Sequence, residues 1–162
     1  MRTGLRTNVL RRPLVGQRSA ATSASPEAVY ELLAGSAIVG TEFEGAGEGR
    51  RVRSTDRSVV TEATPPASFE FVTDSSWELA RSGARADLTV VHRYEIERLP
   101  GGCRLTYTFR ATRASALPGH LAVLRVPVLR AAALRMRVPN LREGFRGLLR
   151  AAERRPNRRR SA

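Results

Sequence analysis

The sequence predicts one α+β domain, a curved antiparallel sheet of six to seven strands wrapped around a long C-terminal helix. Three observations predict it. Residues 87–98 and 103–112 alternate apolar and polar side chains with a period of two, the signature of strands with one buried face. From Leu134 the apolar positions change to steps of four and three, through Val138, Leu141, Phe145 and Leu148 to Ala152, which lie in one stripe of a helix. A sheet with one apolar face needs a cover, and the only long cover available is residues 118–154. The length, 162 residues and 17.8 kDa, suits a single domain able to bury a core without disulfides.

Taken in order, residues 14–23 (LVGQRSAATS) are small and β-compatible and predict a first strand. Ser25-Pro26-Glu27 is a helix start, with Ser as N-cap, Pro in the first turn and an acid beside it. The helix is predicted over 27–33, with Val29, Leu32 and Leu33 on one face and Gly35 ending it. Residues 36–49 predict loop and strand edge, and their four glycines between 40 and 49 read as a hairpin turn. They lack the P-loop pattern and are flanked by Glu44 and Glu48, which argues against a phosphate cradle. Two strands are predicted at 50–56 and 58–64, then a Pro65-Pro66 turn, then a strand at 68–79 with Phe69 and Phe71 on one face. Strands follow at 87–98 and 103–112, joined by the Leu99-Pro100-Gly101-Gly102 turn. Pro139 inside the final helical stripe predicts a kink or a new first turn.

All 28 basic residues are arginine, against 15 acids, for a net charge of +13. The complete absence of lysine, with abundant Ala and Gly, fits a GC-rich bacterial coding bias better than site chemistry. Residues 1–18 carry +5, 19–112 carry −3, 113–153 carry +6 and 154–162 carry +5. The excess thus sits at the ends, and residues 1–13 and 155–162 are expected to be disordered basic tails flanking a domain at 14–154. Weak contact of these tails with an anionic surface is the most the charge suggests; without interleaved aromatics no specific nucleic-acid partner is expected. No apolar run approaches the ~20 residues of a membrane span, and no signal-peptide core is evident, so a cytoplasmic protein is expected. One cysteine and two histidines argue against a metal site, and no cofactor fingerprint, paired catalytic carboxylates or nucleophile elbow is present.

Three segments carry a resemblance. Ala24-Ser25-Pro26-Glu27-Ala28-Val29-Tyr30-Glu31-Leu32-Leu33 resembles the opening "A-x-P-E-x-V-[WY]-x-L-L" of the START-like, polyketide cyclase/dehydrase (SRPBCC) superfamily. Val60 to Phe71 (VTEATPPASFEF) is similar to its "V-x-E-x-x-P-P-x-x-[FL]-x-[FW]" hairpin, and Arg93 to Thr106 (RYEIERLPGGCRLT) to its "x-Y-x-[LI]-E-P-x-x-x-G-[TC]-x-[LV]-T" hairpin. The resemblance spans about residues 14–154 and implies the helix-grip fold, with an apolar cavity between sheet and helix. Two departures stand out: the second short helix of that fold is reduced to Ser36–Gly40, and His92 occupies a position where many such sequences carry Trp.

If the cavity exists, the alternation turns His92, Tyr94 and Tyr107 into it, with Ser54 and Trp77, amid Phe69, Phe71, Leu88, Val90 and Phe109; Leu141 and Phe145 would face it from the helix. His92 and Tyr94 are the candidate catalytic groups, since an imidazole near pKa 6.5 suits acid–base work. The plainer role for His92 is a buried neutral ring bonded to a tyrosine hydroxyl or a carbonyl. His120 is expected at a helix start, and nothing marks Cys103 as a nucleophile. The resemblance therefore implies binding or transport of a small hydrophobic molecule, lipid or polyketide-like. The alternative is a polyketide cyclase/aromatase-like enzyme using His92 and the cavity tyrosines, and a third is a protein–protein role. The orientation of His92 separates the first two.

Overall fold

A computed structural model describes residues 7–48, 52–79, 83, 85–115 and 144–154. Six strands and a helix follow in chain order: β1 (Thr7–Thr22), α1 (Pro26–Ala34), β2 (Glu42–Glu48), β3 (Val52–Thr64), β4 (Ser68–Leu79), β5 (Arg85–Leu99) and β6 (Gly102–Ser115). A second helix, α2, covers residues 144–154. The strands form one antiparallel sheet in the order β1-β6-β5-β4-β3-β2. The chain thus begins at one edge, and α1 carries it to the other, packing against β4 and β5 on the way.

α1 starts as its sequence dictates. The Ser25 hydroxyl accepts the Ala28 N–H at 3.2 Å, Pro26 occupies the first turn, and the Gly35 N–H closes the other end on the Glu31 carbonyl at 2.9 Å. Val29 and Tyr30 are buried, whereas the expected Leu32 and Leu33 are only partly so. These residues meet Val60, Phe69, Ile96, Cys103 and Leu105 from the sheet and Leu149 and Ala152 from α2. The core is therefore gathered at one end of the sheet, under both helices. Gly102 brings β6 close there: a Cβ on it would sit 2.0 Å from the Thr22 carbonyl oxygen, so only glycine admits this approach.

Several expectations need correcting. β1 begins at Thr7, not Leu14, so the tail boundary drawn at residue 13 falls inside a strand paired with β6. Pro13 and two arginines hid it; the register shift between Val9 and Leu14, on an edge strand, is where a proline is tolerated. The glycine-rich stretch is not a hairpin turn but the edge strand β2, with Gly45 and Gly47 at alternate positions. Glycine has no side chain to register in a two-residue pattern, so the alternation with Glu42, Glu44 and Glu48 went unseen. Residues 50–64 do not make two strands; β3 runs unbroken from Val52 to Thr64, and Arg57 pairs across to Glu42 at 2.7 Å instead of breaking it. Ser36–Gly40 forms turns, held by Ala37 N–H to Ala34 and Gly40 N–H to Val60, with no second short helix. Among the described residues the strand count is six.

The C-terminal helix, as described, is short. Its described part covers residues 144–154, and positions 134–143, including Leu134, Val138, Pro139 and Leu141, lie outside the described residues. Its most buried side chains are Leu149 and Ala152, with Phe145 and Leu148 only partly covered. Leu149 was not in the predicted stripe. The Thr22 hydroxyl donates to Glu153 at 2.8 Å, fastening α2 to the end of β1.

Candidate functional site

Cross-strand pairing arranges the covered face of the sheet in rungs, because residues opposite one another in an antiparallel sheet point the same way. One rung runs Val60, Phe71, His92, Phe109 and Gly16; its neighbour runs Phe69, Tyr94, Tyr107 and Arg18. In the other direction come Ser58, Thr73, Val90 and Ala111, then Gly45, Asp56, Ser75, Leu88 and Ala114, then Gly47, Ser54, Trp77 and Ala86. The face therefore changes character along the strands, from the aliphatic core through an aromatic belt to a polar end.

The belt is a connected ring array. Phe71 stacks on His92 with centroids 4.7 Å apart, and Tyr94 stacks on Tyr107 at 4.8 Å. Phe43 from β2 meets Phe71 edge-on at 5.4 Å, and Tyr30 from α1 meets Phe69 at 6.3 Å. Phe109 lies over Gly16, where a Cβ would come within 2.1 Å of its ring, so the edge strand is bare of side chain beneath that ring. Offset and edge contacts of this kind are each worth about 0.5–1.5 kcal/mol beyond area burial.

Within the belt His92 Nδ1 and the Tyr107 hydroxyl are hydrogen-bonded at 2.8 Å, the tautomer setting which one donates. Burial lowers the His92 imidazole to about 4, with the Asp56 charge pulling weakly the other way. Burial raises the Tyr94 hydroxyl to about 12 and raises Tyr107 as well, the latter helped by Tyr94. All three are neutral near pH 7. They form polar handles in an aromatic surface and bring no net charge to it.

The polar end holds a second feature. Ser58 and Thr73, both buried, satisfy each other at 2.8 Å. Asp56 Oδ1 is shielded from solvent and has no hydrogen-bond partner among the described residues. A separate hollow of about 750 Å³ is lined by two rungs whose side chains belong to the opposite face, among them Glu44, Arg57, Asp74, Thr89, Ser76 and Asp87, with the Gly45–Asp56–Ser75–Leu88 rung between them. Three or more metal-ligating side chains are nowhere grouped among the described residues.

Scanned as a sequence, the chain matches no family model and no curated protein significantly. Solved structures do match. A protein of Rhizobium leguminosarum, 11% identical, superposes with a TM-score of 0.63 over 92% of this chain and 99% of that one. A conserved protein of Geobacillus kaustophilus, 16% identical, gives 0.59 over 86% and 95%, and Ara h 8.0201, 9% identical, gives 0.52 over 88% and 96%. The chain has the START-like helix-grip fold.

On this START-like frame the predicted residues divide clearly. His92, Tyr94, Tyr107, Phe69, Phe71 and Phe109 come together in the belt. Leu88 and Val90 share their face and are half-buried; Ser54 and Trp77 pair with each other one rung beyond Asp56. Phe145 packs against the core from α2. Leu141 and His120 lie outside the described residues. Cys103 is buried and its thiol is pushed up by burial, which suits a core residue. Phe43 and Asp56 were missed. Both become visible once 42–48 is recognised as a strand and 50–64 as one continuous strand, since Phe43 and Asp56 then fall on the same side as Phe71.

Proposed function

We propose that this chain binds or carries a small hydrophobic molecule, lipid- or polyketide-like, in a cavity between the sheet and the C-terminal helix. The observation that supports it is the ring array on the covered face, apolar except for the neutral His92–Tyr107 pair and Tyr94. Contact with such a surface supplies most of the binding free energy, and a few placed polar groups fix the pose. The START-like fold is one that accommodates hydrophobic ligands, in keeping with this reading. Phe69, Phe71, Trp77, Leu88, Val90, Tyr94, Phe109, Leu141 and Phe145 would contribute walls; His92 and Tyr107 would orient the ligand.

A cyclase- or aromatase-like activity is favoured by one observation: His92 faces the covered side and is hydrogen-bonded to a tyrosine. Its lowered pKa weighs against it. An imidazole whose conjugate acid titrates near 4 is a weak general base at neutral pH, and the tyrosines hold their protons tightly. The carrier reading is therefore preferred. No helix among the described residues is long and apolar enough to cross a membrane.

His92→Phe tests the reading. It should leave binding of a purely apolar probe intact or tighter, since it adds apolar surface. The same change should weaken a probe bearing a carbonyl or phenol by about 1–3 kcal/mol, the cost of a lost buried partner. Equal effects on both probes would show that His92 does not face the ligand.

A further inference from the structure

We infer that the site selects an electron-rich ligand, a flat aromatic body bearing a neutral hydrogen-bond acceptor such as a carbonyl oxygen, and that Tyr94 is the residue that reads the acceptor. This deepens the proposed function and rests on it. The first ground is how the rings stand. Among Phe71, His92, Tyr94 and Tyr107 the described pairs are 12–27° from parallel. Phe71 and His92 are partners across β4 and β5, and Tyr94 and Tyr107 across β5 and β6. Their centroid separations, 4.7 and 4.8 Å, match the spacing of neighbouring strands, about 4.7–4.9 Å. Near-parallel rings that close cannot lie side by side in one plane, since rings set edge to edge need more room. They are stacked face on face along the pairing direction, and so stand up from the sheet instead of lying flat on it.

A standing ring spends its faces on its neighbours and turns an edge outward. Ring faces carry negative charge density and ring edges positive. The surface offered to a ligand is therefore weakly positive without holding a net charge. An aromatic body laid on it presents its negative face to those edges, in the edge-to-face geometry that Phe43 already adopts on Phe71 and Tyr30 on Phe69.

The second ground is the hydrogens left over. His92 and Tyr107, both neutral, bring two polar hydrogens to their mutual bond and spend one, whichever tautomer holds. One N–H or O–H remains to be given. Tyr94 adds another: no bond to its hydroxyl is described, and burial holds its proton in place, with the pKa raised to about 12. That hydroxyl is also open. Only Tyr30 and Asp56 among the described residues hold a polar side-chain atom both sealed from solvent and unbonded, so the Tyr94 oxygen is within reach of water and of a ligand. Other polar groups on this face do not claim it. Ser58 and Thr73 are bonded to each other, Asp56 stands two rungs beyond Phe71 and His92 with Ser75 across from it, and Arg18, opposite Tyr107 on β1, is exposed and itself a donor. Unspent donors among ring edges call for an acceptor, and a carbonyl on an aromatic body answers both features.

The test uses the full chain and displacement of the neutral fluorescent probe N-phenyl-1-naphthylamine. Two pairs of competitors are compared: 2-acetylnaphthalene against its near-isostere 2-ethylnaphthalene, and naphthalene against octafluoronaphthalene, in which fluorine reverses the charge pattern of the rings. The ketone should bind the wild type about threefold or more tightly than the hydrocarbon, and octafluoronaphthalene about threefold or more weakly than naphthalene. Tyr94→Phe keeps the ring and removes the hydroxyl. It should weaken the ketone about threefold or more and leave 2-ethylnaphthalene within about twofold. The C=O stretch of the bound ketone should lie at lower frequency in the wild type than in Tyr94→Phe, a shift that a purely structural role for Tyr94 would not produce. Each ratio is read within one protein, so a change in stability cancels. A ketone that binds no better than the hydrocarbon, or one untouched by Tyr94→Phe, overturns this inference alone. So does loss of the ketone's advantage in Arg18→Gln instead, which would assign the acceptor to Arg18, and so does octafluoronaphthalene that binds as well as naphthalene. Failure of every probe to bind, N-phenyl-1-naphthylamine included, overturns it together with the carrier reading.

Discussion

His92 joins local chemistry to stability. Its folded-state pKa is lowered from 6.5 to about 4, chiefly by burial. The unfolded chain therefore takes up a proton at a pH where the folded chain does not. Stability conferred by the neutral ring is fully present above about pH 6.5 and falls as pH drops toward 4, by on the order of 3 kcal/mol over that window. Urea melts between pH 7.5 and 4.5 should show this decline, and His92→Phe should flatten it; a variant with the same slope as wild type would place the titrating group elsewhere. Gly102 offers a second residue-scale test. A methyl there would lie 2.0 Å from a backbone oxygen that cannot swing aside, so Gly102→Ala should cost several kcal/mol, on the scale of overpacking or more. An unchanged melting temperature would mean that β1 and β6 are not so close.

Among the elements, α2 carries a stability prediction of its own. Leu149 is 8% exposed and Ala152 1%, while Phe145 is only partly buried. Leu149→Ala should therefore cost about 2–5 kcal/mol, and Phe145→Ala less, by virtue of burial. The reverse order in thermal melts would mean that the helix is rotated. The sequence made the period of this helix legible but not its phase, since Leu148 and Leu149 are adjacent and a stripe can choose either. Strand β4 was legible to the residue and β5 and β6 to within three residues at their ends, because Phe69, Phe71, His92, Tyr94, Tyr107 and Phe109 alternate with polar neighbours. β2 and the first half of β1 were not. Gly45 and Gly47 leave no mark in an alternation pattern, and Pro13 reads as a breaker unless an edge position and a register shift are known. The candidate site suffered in proportion: its β4–β6 side chains were found, whereas Phe43 and Asp56, on or opposite the misread strand, were not.

At the scale of the molecule, the two helices of the described residues and their tightest packing occupy one end of the sheet, while the rings and then the polar side chains continue along the covered face. This separates stability from binding: the end that holds Val29, Leu105 and Leu149 can be rigid while the belt remains available to a ligand. A ligand that binds only the folded chain should stabilise it, by about 2.7 kcal/mol at a concentration a hundredfold above Kd. The central claim is that the covered face holds a small apolar molecule. Native mass spectrometry of the purified full chain, before and after extraction with organic solvent, tests it most directly. The expected spectrum shows a one-to-one adduct of small mass that extraction removes and an added apolar probe restores. A single bare species throughout, with no uptake of the probe, would contradict the account.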